Sequence, residues 1–367
     1  MDDELKIRRA LELAARGWGI TSPNPMVGCV IAAPEGTLMA EGWHEGPGTP
    51  HAEAMALSAA GEGARGSTLY CTLEPCDHFG RTGPCTEAIV SAGVARVVVS
   101  AVDPNPMVNG RGIARLREAG VQVDTGVLEQ EAEALIETYA KHVTTGVPFV
   151  TYKVAASLDG RTAAADGSSK WITGEESRSE VQRLRAGSDA ILIGSGTALS
   201  DDPILTARLP GYEGRPALRV VADSTGRLPA TGNLFDGQAP TLIATTEAAP
   251  QSRREEWAQA GAEVLALDPG PDGRVPLVTL LAHLGKRDVQ SVLVEGGATL
   301  AGAMVSGGLF DKVVLFFAPK LIGGADSPGV LGGPGAPNLA EALPLRISDV
   351  RRLGDDLMVE AYVHRDR

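Results

Sequence analysis

The sequence has few of the features that mark disulfide scaffolds, membrane proteins or secreted proteins. It contains four cysteines in 367 residues, too few for a disulfide scaffold in a chain of this length. No apolar run reaches the roughly 18 residues that a membrane-spanning helix needs. Residues 1–20 mix charged and apolar side chains, as in an amphipathic helix, and lack the uninterrupted apolar segment of a secretory signal. We therefore expect a soluble cytoplasmic protein with reduced thiols.

The chain is also short of positive charge. It has 33 Lys and Arg against 46 Asp and Glu, which gives a net charge of −13. This deficit argues against broad, non-specific nucleic-acid binding, because contacts with the phosphate backbone require cations. A small phosphorylated substrate is compatible with it, since one pocket needs only a few local cations.

The length and the pattern of apolar residues predict a multidomain α/β protein. At about 150 residues per domain, the length indicates two or three domains. Short β-rich runs alternate with amphipathic stretches, which is typical of layered α/β folds. Gly146 and Pro148 end a helical stretch. We therefore predict one domain over residues 1–146 and a second over residues 147–367.

Individual elements follow from the same patterns. The predicted strands are residues 27–32, 67–72, 96–101, 149–155, 190–193, 218–221, 241–244, 291–294 and 313–317. The predicted helices are residues 3–17, 51–60, 86–92, 110–119, 129–143, 175–186, 252–260, 277–284 and 298–306. The first domain thus has a three-layer α/β pattern.

The strongest chemical signal is a set of metal-ligand residue types in the first domain. His51 and Glu53 are two positions apart, and Cys76 and Cys85 follow. One imidazole and two thiolates are good zinc ligands, and a catalytic zinc keeps an open position for water. Zinc lowers the pKa of that water towards about 7, and Glu53 is placed to transfer its proton. The same division of labour operates in zinc nucleobase deaminases.

The spacing of the cysteines differs from the nucleobase-deaminase signature. Eight residues separate Cys76 from Cys85, whereas that signature has two. Pro84 predicts that a helix begins at Cys85, and a helix N-terminus favours thiolate. The longer loop is therefore compatible with both sulfurs binding one metal.

Each ligand candidate also has an interpretation without a metal. His51 alone could be a helix-cap histidine, and Cys76 and Cys85 could be buried thiols. Either cysteine could instead be the nucleophile of a hydrolase. The combination with Glu53 favours the metal site over these interpretations.

The remaining cysteines and histidines of the first domain carry weaker signals. Cys29 and Cys71 lie inside β-rich runs, where we expect core residues because free cysteine packs as a small hydrophobe. His78 is a rival metal ligand or a substrate contact, and we favour the contact. For His44 the default expectation is a surface position.

The second domain lacks the G-x-G-x-x-G fingerprint of ordinary dinucleotide-binding folds. Two segments are nevertheless informative. Residues 192–197 run from a strand into a Gly-containing turn, and residues 292–300 run from a buried strand through a Gly pair into a helix. Glycines allow close approach of backbone to a ligand, and a helix N-terminus attracts phosphate. Either segment alone is a weak signal.

Several motifs together resemble one known family. In the first domain they are residues 21–28 (TSPNPMVG), His51-Ala52-Glu53, residues 74–85 (EPCDHFGRTGPC), Asp103-Pro104-Asn105-Pro106 and Gly110-Arg111-Gly112. In the second domain they are residues 153–161, 169–173 and 194–203, Asp223-Ser224 and Glu295-Gly296-Gly297. In this order they resemble the bifunctional deaminase–reductase family of bacterial riboflavin biosynthesis, along essentially the whole chain. The eight-residue cysteine spacing is a feature of that family.

The resemblance implies a fold and two activities. It implies an N-terminal cytidine-deaminase-like three-layer α/β/α domain and a C-terminal dihydrofolate-reductase-like α/β domain. The first would bind one zinc ion and hydrolytically deaminate 2,5-diamino-6-ribosylamino-4(3H)-pyrimidinone 5′-phosphate. The second would use NADPH to reduce the ribosyl group, giving 5-amino-6-(5-phospho-ribitylamino)uracil. A homodimer or tetramer is also expected.

The resemblance also implies roles for individual residues. His51, Cys76 and Cys85 would bind zinc, and Glu53 would be the catalytic proton shuttle. The implied substrate contacts are Asn24, His78 within the loop of residues 77–82, Lys153, Ser169, Arg185, Leu205, Arg208 and Glu295. The implied NADPH contacts are Ala155, Trp171, Thr197, Asp201, Ser224, Gly297, Ala298, Thr299, Leu300, Ala301, Gly302 and Ala303.

Some of these residues also have a purely structural interpretation. Arg185 and Arg208 suit a ribose phosphate, because guanidinium presents a planar fork to phosphate oxygens. Each could equally occupy a solvated helix face or a surface salt bridge. In the same way, Trp171 could be a core residue and Asp201 a turn residue. Lys153 and Glu295 could form a structural ion pair.

Two rival functions share part of this pattern. A deaminase acting on a base in tRNA or single-stranded DNA would have the same metal site but should carry a basic strand-binding groove. The acidic composition counts against it. In the second rival, the C-terminal domain is a non-catalytic module for dimerisation or ligand sensing.

Overall fold

The computed structural model describes residues 2–79 and 83–363. The chain forms two compact units, Met1–Gly146 and Val147–Arg367. Within the described ranges, no helix is both long enough and apolar enough to cross a membrane.

The first unit contains a mixed five-stranded sheet. Its helices are α1 Asp2–Ala14, α2 Ala52–Ala60, α3 Cys85–Ala92, α4 Arg111–Glu118, α5 Glu129–Leu135 and α6 Glu137–Thr145. Its strands are β1 Gly28–Ala32, β2 Leu38–Trp43, β3 Thr68–Leu73, β4 Arg96–Ala101 and β5 Gln122–Thr125. The strand order is β2-β1-β3-β4-β5. β1 is antiparallel to β2 and β3, and β3, β4 and β5 are parallel.

Helices pack on both faces of this sheet. On β3, Leu69 and Cys71 point to a core that α2, α3 and α4 share. Tyr70 points to the opposite core, which α1 supplies through residues such as Ile7. Because successive side chains of a strand point to opposite faces of the sheet, burial of both sets requires helices on both faces. The three-layer arrangement predicted from the sequence is confirmed.

One predicted helix of the first unit is in fact two. The pattern over residues 129–143 predicts a continuous helix, but α5 ends at Leu135 and α6 begins at Glu137. Ile136 breaks the helix with φ −107° and is only 5 % exposed. The break lets Ile136 pack with Ala132 and Tyr139 in one cluster.

The second unit is built on a nine-stranded sheet. Its helices are α7 Glu175–Ala186, α8 Ser195–Asp201, α9 Gln251–Gln259, α10 Leu277–Gly285 and α11 Ala298–Ser306. Its strands are β6 Phe149–Ser157, β7 Ala190–Gly194, β8 Leu218–Ala222, β9 Thr241–Thr245, β10 Glu263–Ala266, β11 Ser291–Val294, β12 Lys312–Ala318, β13 Leu345–Leu353 and β14 Asp356–Val363. The strand order is β10-β9-β8-β7-β11-β6-β12-β14-β13. All neighbouring pairs are parallel except β12 with β14 and β14 with β13.

Helices cover both faces of the central strands. On β7, Leu192 packs in a core with Leu280 of α10, whereas Ile191 packs on the other side with Trp257 of α9. Strands covered on both faces read as continuous apolar runs, which is why the sequence predicts them well.

The sheet order brings two strand-to-helix junctions to one edge. β7 and β11 are parallel neighbours, so their carboxyl ends lie side by side, and ligands of open α/β sheets bind at such an edge. α8 follows β7 directly and α11 follows β11 after three residues. The sequence predicts that residues 192–197 run from a strand into a Gly-containing turn. The strand is present, but α8 begins directly after it at Ser195 in place of the turn.

Candidate active sites

The first unit brings His51, Cys76 and Cys85 together from three elements. His51 immediately precedes α2 in extended conformation, with φ −70° and ψ 159°. Cys76 follows the end of β3, and Cys85 is the first residue of α3. Their potential ligand atoms all lie within 4.8 Å of one another. No other group of three such residues is found within residues 2–79 and 83–363.

The geometry of this cluster fits zinc. His51 Nδ1 lies 3.2 Å from Cys85 Sγ and 3.5 Å from Cys76 Sγ. Standard zinc bond lengths and tetrahedral angles would separate a nitrogen and a sulfur ligand by about 3.6 Å. Three protein ligands leave one position open, as in catalytic zinc sites.

The two thiols have different proton affinities. Hydrogen bonds from the Cys85 and His51 side chains lower the pKa of Cys76 to about 4. The Cys85 backbone N–H also donates to Cys76 Sγ, at 3.5 Å. The hydrogen bond with Cys76, together with burial, raises the pKa of Cys85. A divalent cation would favour thiolate at both sulfurs, since metal binding displaces protons from its ligands.

Glu53 is a buried carboxyl beside these ligands. It lies in the first turn of α2 and is 4 % exposed. Burial raises the pKa of Glu53 to about 7, and the neighbouring Cys76 sulfur adds to this rise. A carboxyl group that titrates near neutral pH can both accept and donate a proton during a reaction.

Asn24 and His44 lie next to the ligand cluster. Asn24 Nδ2 is 2.9 Å from His44 Nε2, and the His44 ring lies edge-to-face against His51, with ring centroids 5.7 Å apart. His44 is only 4 % exposed, and burial lowers its pKa. The expected surface position of His44 is therefore wrong. The error follows from missing β2, since that strand ends at Trp43 and brings His44 to the site.

The remaining candidates of the first unit separate into surface and core. His78 is exposed. Residues 80–82 of the candidate substrate loop, residues 77–82, lie outside the described residues. Cys29 and Cys71 are fully buried, and burial raises the pKa of both thiols. Both are core residues, as the sequence predicts.

In the second unit, Lys153, Arg185 and Glu295 form one buried ionic cluster. Lys153 Nζ lies 2.9 Å from Glu295 Oε2, and Arg185 Nε lies 2.6 Å from Glu295 Oε1. Burial opposes ionisation of Glu295, but the two cations outweigh it and lower its pKa. Two cations facing one carboxylate leave a local excess of positive charge.

Three further substrate candidates have distinct surroundings. Ser169 is half-buried, and Arg208 is exposed, with its backbone N–H donating to Gln182 Oε1 at 3.0 Å. Leu205 is 2 % exposed and packs in the core. Leu205 therefore presents almost no surface to a substrate. Leu205 has a positive φ of 54°, which is uncommon for a non-glycine residue and concentrates at functional loops.

The candidate cofactor residues gather around α8 and α11. The Gly297 N–H donates to Thr197 Oγ1 at 3.0 Å, joining the starts of the two helices. α11 begins after Gly297 without a side-chain cap, so its first N–H groups are available to a phosphate.

The candidate residues at the start of α11 and along it differ in exposure. Gly297, Thr299 and Ala303 are exposed, and Ala298 and Leu300 are partly exposed. Ala301 and Gly302 lie in the core, where a Cβ on Gly302 would meet the Gly332 carbonyl at 2.1 Å.

The remaining cofactor candidates lie on separate elements. Trp171 is 66 % exposed, which excludes a core position, and the Arg178 guanidinium lies 4.9 Å from its ring centroid. Asp201 is exposed at the end of α8, and Ala155 is half-buried on β6. Ser224 follows β8, and its Oγ accepts the Val275 N–H at 3.0 Å.

Sequence reasoning missed one residue that supports the Trp171 segment. Lys320 Nζ donates to the Trp171 and Ile172 carbonyls, at 3.0 and 2.7 Å. The two segments are about 150 residues apart in the chain. The only local signal for Lys320 is its place just after β12.

Two family models match the chain. The model of the RibD C-terminal domain matches residues 148–359. The model of the cytidine and deoxycytidylate deaminase zinc-binding region matches residues 1–101. The predicted fold class is confirmed in both units: a cytidine-deaminase-like N-terminal domain and a dihydrofolate-reductase-like C-terminal domain.

Relatives match along nearly the whole chain. The riboflavin biosynthesis protein RibD of Escherichia coli (strain K12) is 44% identical over 368 residues, covering 97% of this chain and 98% of the relative. RibD of Bacillus amyloliquefaciens is 41% identical, covering 98% of this chain and 96% of the relative. A solved structure of Acinetobacter baumannii RibD superposes with a TM-score of 0.89 at 40% identity, covering 99% of both chains.

A second solved structure carries both activities in its name. It is a diaminohydroxyphosphoribosylaminopyrimidine deaminase/5-amino-6-(5-phosphoribosylamino)uracil reductase from Thermotoga maritima. It superposes with a TM-score of 0.86 at 35% identity and covers 99% of both chains. The resemblance inferred from the motifs is confirmed. The chain belongs to the RibD family of bifunctional deaminase–reductases of riboflavin biosynthesis.

Proposed function

We propose that the two units act in succession on one phosphorylated ribosylaminopyrimidine. The first, residues 1–146, deaminates 2,5-diamino-6-ribosylamino-4(3H)-pyrimidinone 5′-phosphate by zinc-dependent hydrolysis. The second, residues 147–367, reduces the ribosyl group of the product with NADPH, giving 5-amino-6-(5-phospho-ribitylamino)uracil. The observation that carries this proposal is the convergence of His51, Cys76 and Cys85 beside the buried Glu53.

In the deaminase unit, the protein's own groups hold the metal and move a proton. Zinc bound by His51, Cys76 and Cys85 would supply water activated for attack at neutral pH. Glu53 accepts the proton that the water loses and passes it to the exocyclic amine. The amine leaves as ammonia, and the oxygen of the water takes its place on the ring carbon. Its buried position beside the three ligand residues allows Glu53 to serve both transfers.

Asn24 and His78 are the proposed substrate contacts of this unit. The hydrogen bond between Asn24 and the buried His44 supports the first assignment, because it fixes the Asn24 amide on a ring that packs against His51. His78 is exposed two residues after Cys76, where an imidazole can reach a substrate from the solvent side.

In the reductase unit, bound NADPH would supply a hydride for reduction of the anomeric carbon of the sugar, in its ring-opened imine form. Lys153, Ser169, Arg185, Leu205, Arg208 and Glu295 are the proposed substrate contacts. The positive excess of the Lys153–Arg185–Glu295 cluster favours a phosphorylated sugar. Glu295 also fixes both cations in place, because each forms an ion pair with its carboxylate.

Most of the proposed NADPH contacts lie in or next to α8 and α11, and the others lie on separate elements. The proposed contacts are Ala155, Trp171, Thr197, Asp201, Ser224 and the run Gly297, Ala298, Thr299, Leu300, Ala301, Gly302 and Ala303. The uncapped start of α11 supports a phosphate at this point. For Ala301 and Gly302, burial restricts the proposed role to shaping the helix beneath the cofactor. We also propose one zinc ion per chain and a homodimer or tetramer.

Removing the metal tests the assignment of one step to each unit. We expect zinc-depleted protein to release no ammonia from the diaminopyrimidine nucleotide, yet to oxidise NADPH when given the deaminated nucleotide. Adding zinc back should restore ammonia release. Ammonia release by protein without bound zinc would contradict the metal assignment. NADPH oxidation that depends on zinc with the deaminated nucleotide would contradict the division between units.

Family membership does not favour the rival deaminase of a nucleic-acid base with a non-catalytic second unit. Turnover of the free nucleotide without RNA binding would argue against that rival directly.

A further inference from the structure

Glu74 is a buried carboxylate between the sheet of the first unit and the candidate metal centre. It follows Leu73, the last residue of β3, and its backbone N–H donates to the Ala101 carbonyl at 3.0 Å. The residue is 4 % exposed. Two positions further along the chain is Cys76, one of the three candidate zinc ligands.

The Glu74 carboxylate accepts four backbone N–H groups. Its Oε2 accepts from Asp103 at 3.2 Å and Gly110 at 2.8 Å, and its Oε1 accepts from Gly112 at 2.9 Å and Ile113 at 3.2 Å. These donors span the loop after β4 and the first turn of α4. Both oxygens are thus used to fasten one segment, residues 103–113, which we term the β4–α4 segment.

The β4–α4 segment packs directly on the residue before Cys76. A Cβ added to Gly112 would lie 1.9 Å from the Pro75 carbonyl oxygen, so only glycine allows this approach. On the other side, the Thr86 N–H of α3 donates to the Cys76 carbonyl at 3.2 Å. The backbone of Pro75 and Cys76 is therefore supported by α4 through Gly112 and by α3 through Thr86.

We propose that Glu74 is a positioning residue. Its four hydrogen bonds hold the β4–α4 segment against Pro75, and this contact keeps the Cys76 sulfur in position for the metal. Within residues 2–79 and 83–363, the side-chain hydrogen bonds found for Glu74 all go to backbone N–H groups of the β4–α4 segment, so Glu74 acts through the backbone that carries Cys76. This inference rests on the proposed zinc site of the same unit.

The substitution Glu74→Gln would break this arrangement with almost no change in the shape of the side chain. Its amide has one acceptor oxygen, and its NH₂ group would face backbone N–H donors, so at least one pair of hydrogen bonds is lost. Partners that orient a ligand without touching the metal typically contribute about 10–100-fold to metal affinity. We therefore expect Glu74→Gln to bind zinc about tenfold more weakly than the wild type.

The experiment measures zinc dissociation constants of the full chain by competition with a chromophoric chelator. Glu118→Gln is the matched control, because Glu118 is an exposed acidic residue on the same helix, α4. Gly112→Ala is a second variant. It disturbs the contact between Gly112 and the Pro75 carbonyl and leaves Glu74 unchanged. Hydrogen exchange of the zinc-loaded proteins reports on the amides of residues 103–113.

We expect both Glu74→Gln and Gly112→Ala to weaken zinc binding, and Glu118→Gln to match the wild type. Amide exchange in Glu74→Gln should accelerate within residues 103–113 and not in α1 or β1. A dissociation constant for Glu74→Gln within twofold of that for Glu118→Gln would overturn the inference. Exchange that accelerates evenly across the first unit would overturn it as well.

Two further outcomes are also decisive. If Glu74→Gln does not fold, Gly112→Ala decides alone, and unchanged zinc affinity in that variant overturns the inference. If the wild type binds no zinc, the proposed function fails and this inference fails with it, because Cys76 then has no metal to bind. If the wild type binds zinc and Glu74→Gln binds it equally well, only the inference fails.

Discussion

Glu53 and Glu295 are both buried carboxyl groups, but their surroundings give them opposite proton affinities. Glu53 lies near thiols and has no cation bonded to it among the described residues, so burial raises its pKa to about 7. Glu295 contacts two cations that outweigh its burial and lower its pKa. Such divergence separates a proton shuttle from an anchoring charge. Within this account, Glu53 moves protons, and Glu295 organises Lys153 and Arg185.

Replacing Glu295 should affect only the second activity. In Glu295→Gln, Lys153 and Arg185 lose their counter-charge inside a buried site. Breaking a buried ion pair in this way typically costs about 3–5 kcal/mol. We expect lower stability of the second unit in urea titrations. We also expect NADPH oxidation to slow by at least about tenfold, because Lys153 and Arg185 lose the carboxylate that positions them, and a loss of about 1.4 kcal/mol of transition-state stabilisation slows a reaction tenfold.

The control for this variant is Glu263→Gln, which changes a half-exposed ion pair with Arg287 in the same unit. Ammonia release by Glu295→Gln should equal that of the wild type. Unchanged NADPH oxidation would contradict the assigned role of Glu295.

The pH dependence of stability has a defined sign at Glu295. Its pKa is lower in the folded protein than in the unfolded chain, where glutamate titrates at about 4.3. The unfolded state therefore binds more protons between the two values, and stability falls as the pH falls. We expect the wild-type free energy of unfolding to decline below about pH 4.5, with a smaller decline in Glu295→Gln. Equal declines in urea titrations at pH 7, 5 and 4 would contradict this.

At the scale of elements, α7 begins with a cap that comes from a distant strand. The helix has no side-chain cap of its own at Gly174. Asp356, the first residue of β14, accepts the Gly174 N–H at 2.7 Å and the Ser177 hydroxyl at 2.6 Å, and is 3 % exposed. The β13–β14 hairpin thereby fixes the helix that carries Arg185.

Removal of this cap should destabilise the second unit. We expect Asp356→Ala to lower the free energy of unfolding by about 1–2 kcal/mol, the usual cost of losing an N-cap. The neighbouring Asp355 is exposed, so Asp355→Ala should leave stability unchanged. Urea titration of both variants provides the measurement, and equal stabilities would show that Asp356 does not act as the cap.

The sequence predicts best those helices and strands whose apolar residues are also the residues that become buried. α7 and α11 have the predicted bounds, as does β11, because each buries one continuous face or run. The sequence pattern does not predict β13, because that strand is exposed along most of its length and carries Asp349 and Arg351. It does not predict β14, which pairs with β12 and β13. The sequence does not predict α8, because Gly196 has a low helix propensity and lies in the first turn of that helix. These elements depend on tertiary contacts that local pattern does not encode.

Over the whole molecule, the sequence predicts the residues of the site better than their supports. The spacing of His51, Cys76 and Cys85 with Glu53 predicts the candidate metal centre, because each residue type carries its own chemistry, and the structure brings the three ligand candidates within 4.8 Å of one another. The hydrogen bonds of Glu74 with the β4–α4 segment and those of Lys320 with the Trp171 segment join parts of the chain that are distant in sequence. Neither could be predicted, since both depend on where loops meet after the two sheets have formed.

The measurement that most directly tests the bifunctional assignment is mass spectrometry of the product made from the diaminopyrimidine ribosyl phosphate with zinc and NADPH. Wild type, Glu53→Gln and the exposed control Glu62→Gln are compared with equal zinc content. We expect wild type and Glu62→Gln to exchange one amino group for oxygen and to add two hydrogens, and Glu53→Gln to leave the substrate unchanged. An unchanged substrate with folded, zinc-loaded wild type, or full turnover by Glu53→Gln, would contradict the account.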